Sequence, residues 1–231
     1  MVELLTHMFL CTGSHTDHSG PLTLVLLGES GSGKSASGNT ILERKAFPSE
    51  TSSRAITIKC AKESKSMYGT TFEVIDTPDF SDENLQQADE HVKECRDLCQ
   101  GGLCVYLLVI QIGRFTEGER GILERLERAL GMINNRVIIL FTHGDDLKPD
   151  QRIDDYVKKT NRHLQMLIMQ CGGRYQVFNN RKRDEQQVKG LMGEIAKLVN
   201  TDHFKVFPEL NAEKSLSFWQ SWNISNSKHW L

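Results

Sequence analysis

The sequence has no apolar run long enough to cross a bilayer, no C-x-x-C pair and no excess of charge of one sign. The longest apolar run, Leu103–Ile110, has eight residues, whereas a membrane-spanning helix needs about 20. A formal net charge of −2 gives no global attraction to nucleic acid or to an anionic membrane. The six cysteines fit reduced thiols better than a disulfide framework. We therefore expect a cytoplasmic protein with no nucleic-acid partner and no indicated membrane contact.

The chain divides into three parts by composition. Residues 1–21 are polar, lack periodicity and end on Gly-Pro, so they predict a flexible arm. In residues 22–200 short apolar strands alternate with amphipathic helices, which predicts an α/β fold with a mainly parallel six-stranded sheet and helices on both faces. Residues 201–231 lose this pattern and contain all three tryptophans. They predict an aromatic-rich tail that packs loosely on the domain or stays disordered, or that instead anchors a short helix to a partner or a bilayer surface.

The predicted elements follow from short apolar runs and from helical periodicity. The predicted strands are Leu22–Leu27, Ile56–Cys60, Phe72–Ile75, Leu103–Ile110, Val137–Phe141 and Tyr175–Phe178. The predicted helices lie near 33–43, 84–99, 117–130, 150–170 and 184–199. The strand that begins at Ile56 is expected to form an antiparallel hairpin with the strand at Phe72 and to lie at the edge of the sheet.

The segment Gly28–Ser35 reads G-x-x-x-x-G-K-S, the Walker A pattern of loops that bind nucleoside triphosphates. Gly28 and Gly33 permit the turns and the close approach by which backbone N–H groups converge on phosphate. Lys34 brings a positive charge to the β- and γ-phosphates, and the Ser35 hydroxyl is a candidate Mg²⁺ ligand. The predicted nucleotide contacts are Gly28, Glu29, Ser30, Gly31, Ser32, Gly33, Lys34, Ser35 and Ala36, and Lys34 is also a candidate catalytic residue.

A second candidate metal ligand is Asp76, which follows the apolar strand Phe72–Ile75. A carboxylate at the carboxyl end of a strand beside the phosphate loop is where a Walker B residue holds Mg²⁺. Taken alone, the turn Asp76-Thr77-Pro78-Asp79 is as often an Asx-type cap. The loop forty-one residues upstream favours the metal role.

The purine base is expected to meet the segment after the strand Val137–Phe141. There Asp145 fits the carboxylate that accepts hydrogen bonds from guanine N1–H and N2–H₂, a donor pair that adenine lacks. Thr142 precedes it, and His143 either stacks on the purine or is an ordinary loop residue. Asn179 and Asn180 offer amides after the last strand. The nearby run Arg181–Arg183 is interpreted as a solvated face.

In this order the motifs resemble those of the AIG-type GTPases, the GIMAP (immunity-associated) family, from about residue 22 to residue 200. The matching segments are Gly28–Leu42, Asp76–Phe80, Gln111–Glu117, Phe141–Leu147 and Phe178–Arg181. The resemblance implies a P-loop, Ras-like G domain that binds GTP or GDP with Mg²⁺ and tends to dimerise through its nucleotide face. It also places Thr57 at the family's switch threonine, a ligand of Mg²⁺, although Thr57 also fits an ordinary strand position between two isoleucines.

Two departures from general GTPases bear on catalysis. Asp79 stands where most GTPases have the glycine whose N–H meets the γ-phosphate, and no glutamine follows to position the attacking water. Arg114 follows a strand at the ligand edge of the sheet, so one hypothesis is that it completes the site of a second protomer. The alternative is a surface arginine paired with Glu117 or Glu119.

Three functions remain at this stage. The favoured one is a GTP-binding regulatory protein that hydrolyses GTP slowly and couples nucleotide to dimerisation or oligomerisation. The alternative is a nucleotide-locked structural scaffold without significant turnover. An ATP-dependent kinase or ATPase would use the Walker A loop but has no use for the segment Thr142–Asp145.

Overall fold

The computed structural model describes residues 21–49, 57–67, 70–79, 91, 94–95, 97–99, 103–115, 122–131 and 133–199. The predicted arm before Pro21 and the predicted tail 201–231 lie outside these residues. So do most of the predicted helix 84–99, of which residues 91, 94–95 and 97–98 are helical, and the two residues at the tip of the predicted hairpin.

The core of the fold is a six-stranded sheet in the order β2-β3-β1-β4-β5-β6. The strands are β1 Leu22–Leu27, β2 Ala61–Met67, β3 Thr70–Asp76, β4 Leu103–Gln111, β5 Val137–Thr142 and β6 Tyr175–Val177. All neighbouring pairs are parallel except β2 with β3. Strands β1 and β5 are buried along their whole length, as expected for parallel strands covered on both faces.

The helices cover both faces of this sheet. They are α1 Lys34–Leu42, α2 Ile122–Leu130, α3 Ile153–Lys159, α4 Arg162–Gln170 and α5 Glu185–Val199. Alternate residues of β1 point to opposite faces: Leu24 and Leu26 pack with α1 and α5, whereas Val25 and Leu27 pack with α2 and α4. The predicted doubly covered α/β fold is therefore confirmed.

The order of the strands also predicts where a ligand binds. Strand β1 pairs with β3 on one side and with β4 on the other, in parallel in both cases, so the chain reverses its direction of winding at β1. In open α/β sheets ligands bind at the carboxyl ends of the strands at such a reversal. That edge carries the loop after β1 and the segments after β3, β4 and β5.

Two elements differ from the sequence predictions. The antiparallel edge strand runs from Ala61 to Met67, pairing Ala61 with Asp76, and the described residues 57–60 of the predicted strand lie outside it. The sequence of this strand is mostly polar because an edge strand exposes one side to solvent. The prediction looked for apolar residues and therefore placed the strand too early, at Ile56–Cys60. The predicted helix 150–170 is two helices, because Asn161 caps α4 by accepting the N–H of Leu164 at 3.0 Å.

The cysteines within the described part of the chain agree with the expectation of reduced thiols. The described cysteines are free thiols: Cys60, Cys95, Cys99, Cys104 and Cys171. Burial raises the pKa of the Cys171 thiol to about 12, so this side chain is an inert core group.

Among the described helices, none has both the length and the apolar character that crossing a membrane requires.

Candidate functional site

The loop between β1 and α1 is shaped by glycines with positive φ. Gly28 has φ 144° and Gly33 has φ 97°. A Cβ on Gly28 would lie 2.5 Å from the carbonyl oxygen of Val109, and one on Gly33 would lie 3.1 Å from Cγ2 of Thr142. Both positions therefore require glycine for conformation and for space. At Gly31, by contrast, a Cβ would meet nothing within 4 Å, so the apex of the loop is open.

Lys34 begins α1 and folds back over the loop. Its Nζ donates hydrogen bonds to the carbonyl oxygens of Gly28 at 2.8 Å and Glu29 at 3.0 Å, and the residue is only 7% exposed. Burial lowers the pKa of Lys34, while the negative charges of Asp79, Asp76 and Glu29 oppose that shift in this order of size. The ammonium group is therefore held at the loop among carboxylates.

Hydroxyl groups from two segments converge on one carboxylate at the end of β3. Ser35 Oγ donates to Asp76 Oδ2 at 2.7 Å, Thr57 Oγ1 donates to the same oxygen at 3.3 Å, and the two hydroxyl oxygens are 3.2 Å apart. Asp76 is 1% exposed. Burial raises the pKa of its carboxyl group, and the bond from Ser35, the charge of Lys34 and the bond from Thr57 oppose this.

This cluster fits a Mg²⁺ site that is completed by ligand oxygens. Asp76 Oδ1 is buried and has no hydrogen-bond partner among the described residues, so one carboxylate oxygen is available. One carboxylate with hydroxyl groups suits Mg²⁺, which keeps water and phosphate oxygens as further ligands. In the described part of the chain no group of three His, Cys, Asp or Glu residues could hold a metal ion. A closed zinc-type centre is therefore not formed there.

The end of β5 brings the predicted base-binding segment against the phosphate loop. Thr142 Oγ1 donates to the carbonyl oxygen of Ser32 at 2.7 Å, and His143 turns the chain with φ 58°. The carboxylate of Asp145 accepts a hydrogen bond from Arg181 at 2.9 Å, and its side chain is 27% exposed. The hydrogen bond from Thr142 to Ser32 thus joins the base-binding segment to the phosphate loop. Asp145 is partly exposed and can accept hydrogen bonds from N–H donors.

The two asparagines after β6 are held by the protein itself. Asn180 accepts a hydrogen bond from Thr40 Oγ1 at 2.8 Å and donates one to Ser37 Oγ at 3.1 Å. Asn179 accepts the N–H of Arg181 at 3.0 Å through its side chain, a local turn bond. Asn180 therefore fixes the loop after β6 to α1, and the backbone of this loop lies close to the base segment because Gly144 N–H donates to the carbonyl oxygen of Phe178 at 2.9 Å.

The AIG1 family model matches residues 22–221 of this chain. The chain belongs to the AIG1 family. Curated relatives include mouse GTPase IMAP family member 8, 36% identical over 181 residues that are 74% of this chain and 26% of the relative. Another is Arabidopsis thaliana immune-associated nucleotide-binding protein 4, 33% identical over 184 residues that are 75% of this chain and 56% of the relative. The matched part of this chain spans about a quarter of the length of the mouse relative and about half of that of the Arabidopsis relative.

Solved structures of Toc33 from Arabidopsis thaliana share the fold at low sequence identity. A dimerisation-deficient arginine-to-alanine mutant has a TM-score of 0.63 at 17% identity over 80% of this chain and 86% of its own. A complex with Mg²⁺ and GMPPNP has a TM-score of 0.60 at 17% identity over 77% and 84%. At these identities the likeness shows the fold, a P-loop GTPase G domain.

Within this AIG1-family chain, Arg114 lies on the loop after β4. The loop turns at Gly113, which has φ 76° and whose N–H donates to the hydroxyl of Tyr156 at 3.1 Å. Arg114 is exposed, and its side chain has no hydrogen bond or ion pair with any described residue. Glu117 and Glu119, its alternative partners, lie outside the described residues.

The sequence did not identify two contacts of the AIG1-family site. Arg181 was assigned to a solvated face, but its guanidinium bonds Asp145 while remaining 75% exposed. Asp79 was singled out only as a departure from glycine, whereas its Oδ2 accepts the N–H of Ser30 at 3.1 Å. Neither contact has a local sequence signal, since the partners are 36 and 49 residues apart.

Proposed function

We propose that this chain is a guanine nucleotide-binding protein that holds GTP or GDP together with Mg²⁺, hydrolyses GTP slowly and dimerises through its nucleotide face. The observation that carries the proposal is the convergence of Ser35 and Thr57 on Asp76 beside the buried Lys34. A phosphate loop, a strand-end carboxylate and a second hydroxyl segment meeting at one point are the parts that a Mg²⁺-dependent P-loop NTPase requires.

Guanine as the base is supported by Asp145. Its carboxylate lies at the end of β5, next to a segment that Thr142 ties to the phosphate loop. Arg181 already donates an N–H to the carboxylate of Asp145. This carboxylate is therefore oriented to accept the N1–H and N2–H₂ of guanine. The mouse relative is named a GTPase, and Toc33 has been crystallised with Mg²⁺ and GMPPNP.

Each side chain has a separate task in the proposed reaction. The loop N–H groups and Lys34 would bind and orient the phosphates, and Ser35, Thr57 and Asp76 are the residues that would hold Mg²⁺, which would supply charge neutralisation at the phosphates. No glutamine follows Asp79 to orient water. A protomer by itself therefore turns over slowly, and Arg114 from a partner protomer is the group proposed to raise the rate.

The scaffold alternative has one observation in its favour. The missing glutamine also fits a protein that keeps GTP bound to stabilise an assembly. Single-turnover hydrolysis at low and at high protein concentration separates the two functions, because only the regulated GTPase speeds up on association.

Lys34→Ala is expected to weaken binding of GDP and of the GTP analogue GMPPNP by about 10- to 100-fold, since a buried charged donor to phosphate is worth roughly 1.5–3 kcal/mol. Isothermal titration calorimetry with Mg²⁺ measures this. Lys45→Ala is the matched control, because Lys45 is exposed and lies outside the loop. Unchanged affinity in Lys34→Ala would contradict phosphate binding at this loop.

Ser35→Asn is expected to spare GDP, with a change of no more than about threefold, and to weaken Mg·GMPPNP by at least about tenfold. The reason is that Ser35 would act through the metal, and Mg²⁺ would contribute more to the binding of a triphosphate than to that of a diphosphate. Titrations of both nucleotides with and without Mg²⁺ test this. Equal losses for both nucleotides would show that Ser35 has a different role.

A further inference from the structure

Asp79 reaches across the site from the segment after β3. Its Oδ2 accepts a hydrogen bond from the backbone N–H of Ser30 at 3.1 Å. Ser30 lies at the exposed apex of the phosphate loop, next to Gly31, where there is open space. An anionic oxygen of the protein therefore already uses an N–H of the loop that binds phosphate.

The same carboxylate acts on the cation of the loop. Of the three acids that raise the pKa of Lys34, Asp79 has the largest effect, ahead of Asp76 and Glu29. Asp79 thus bonds one loop N–H directly and acts on the loop ammonium through its charge, and both are groups that bind phosphate.

We propose that Asp79 sets the preference of this site between nucleoside diphosphate and triphosphate, because its carboxylate competes with the terminal phosphate for Ser30 N–H and Lys34. A triphosphate adds negative charge at the end of the phosphate chain, where Lys34 and the segment after the Walker B strand act. Two anions cannot both use one N–H donor and one ammonium at full strength. This inference rests on the proposed guanine nucleotide site and deepens it.

The competition also couples the nucleotide to the conformation of the chain. To accept a triphosphate on Ser30 N–H, the carboxylate of Asp79 must turn away from Ser30. Asp76 itself stays fixed by Ser35 and Thr57, and Thr77 by a hydrogen bond from its Oγ1 to the carbonyl oxygen of Leu26 at 2.6 Å. The change is therefore expected at Pro78 and Asp79, and not at Asp76 or Thr77.

The test measures dissociation constants of the full chain for Mg·GDP and Mg·GMPPNP by calorimetry. Asp79→Asn keeps the size and removes the charge, and Asp79→Ser shortens the side chain as a second variant. Asp155→Asn removes the same charge on α3 and is the matched control. Thermal melting without nucleotide verifies that each variant folds.

Both Asp79 variants are expected to bind GMPPNP at least about tenfold more tightly than the wild type, with GDP changed by less than about threefold, since one charge-assisted contact is released to the phosphate. The control is expected to keep the wild-type ratio of the dissociation constants for GDP and GMPPNP. A ratio unchanged within twofold in the folded Asp79 variants would overturn the proposal. Weaker binding of GMPPNP alone would also overturn it, because Asp79 would then assist the triphosphate, for example through Mg²⁺.

The design separates this inference from the proposed function. If the wild type binds GDP in a Lys34-dependent manner and the Asp79 variants do not change the ratio, the inference alone is wrong. If the wild type binds neither nucleotide, the proposed function is wrong and the inference fails with it.

Discussion

Arg114→Ala is expected to abolish the rise of specific GTPase activity with protein concentration, while leaving the affinity for GTP in the monomer nearly unchanged. Arg114 is exposed and lies after β4 at the ligand edge of the sheet, where a second protomer can reach the nucleotide of the first. Phe80 and Ser81 follow Asp79, so no glutamine stands directly after it to position the attacking water. An arginine supplied in trans is worth about 10³–10⁵ in rate, so the loss at high protein concentration is large.

The measurement is single-turnover hydrolysis from nanomolar to tens of micromolar protein, with light scattering to follow association. Arg162→Ala is the matched control, since Arg162 is exposed at the start of α4 and is not assigned to the site. A flat wild-type profile would remove the trans-arginine hypothesis and favour the scaffold function.

Asp145→Asn is expected to lose GTP binding by roughly 10²- to 10⁴-fold, since two charge-assisted hydrogen bonds of about 1.5–3 kcal/mol each are removed. The variant should gain affinity for xanthosine triphosphate, because an amide can donate to the carbonyl that xanthine presents in place of the guanine amino group. Competition titrations with both nucleotides measure the exchange.

The neighbouring carboxylate provides the control for this exchange. Asp146 lies 3.6 Å from His143 Nδ1 and was not assigned to the base. Asp146→Asn is expected to keep the preference for GTP. If Asp145→Asn binds GTP as tightly as the wild type, or if Asp146→Asn makes the exchange instead, the base is read by a different residue.

The phosphate end of the site could be predicted from the sequence because its parts are close in the chain. Gly28–Ser35 is one continuous motif, and the buried strand β1 that precedes it is a clear apolar run. Asp76 could be placed beside Ser35 because parallel strands bring their carboxyl ends to one edge. The 2.7 Å contact between them is the consequence of that topology.

Other features could not be predicted because they depend on tertiary structure. The edge strand β2 is polar, so the apolar residues near Ile56 drew the prediction to the wrong segment. The break between α3 and α4 depends on one cap at Asn161 inside a continuous helical pattern. The bonds of Asp79 to Ser30 and of Arg181 to Asp145 join segments far apart in the chain and leave no local pattern.

The central claim is that this site binds guanine nucleotides, and competition with a fluorescent GDP analogue on the wild-type chain with Mg²⁺ tests it. GDP and GTP should displace the analogue, and ATP should require at least about 100-fold higher concentration, because adenine leaves the carboxylate of Asp145 without its two donors. Displacement by ATP at the same concentration as GTP would contradict the account.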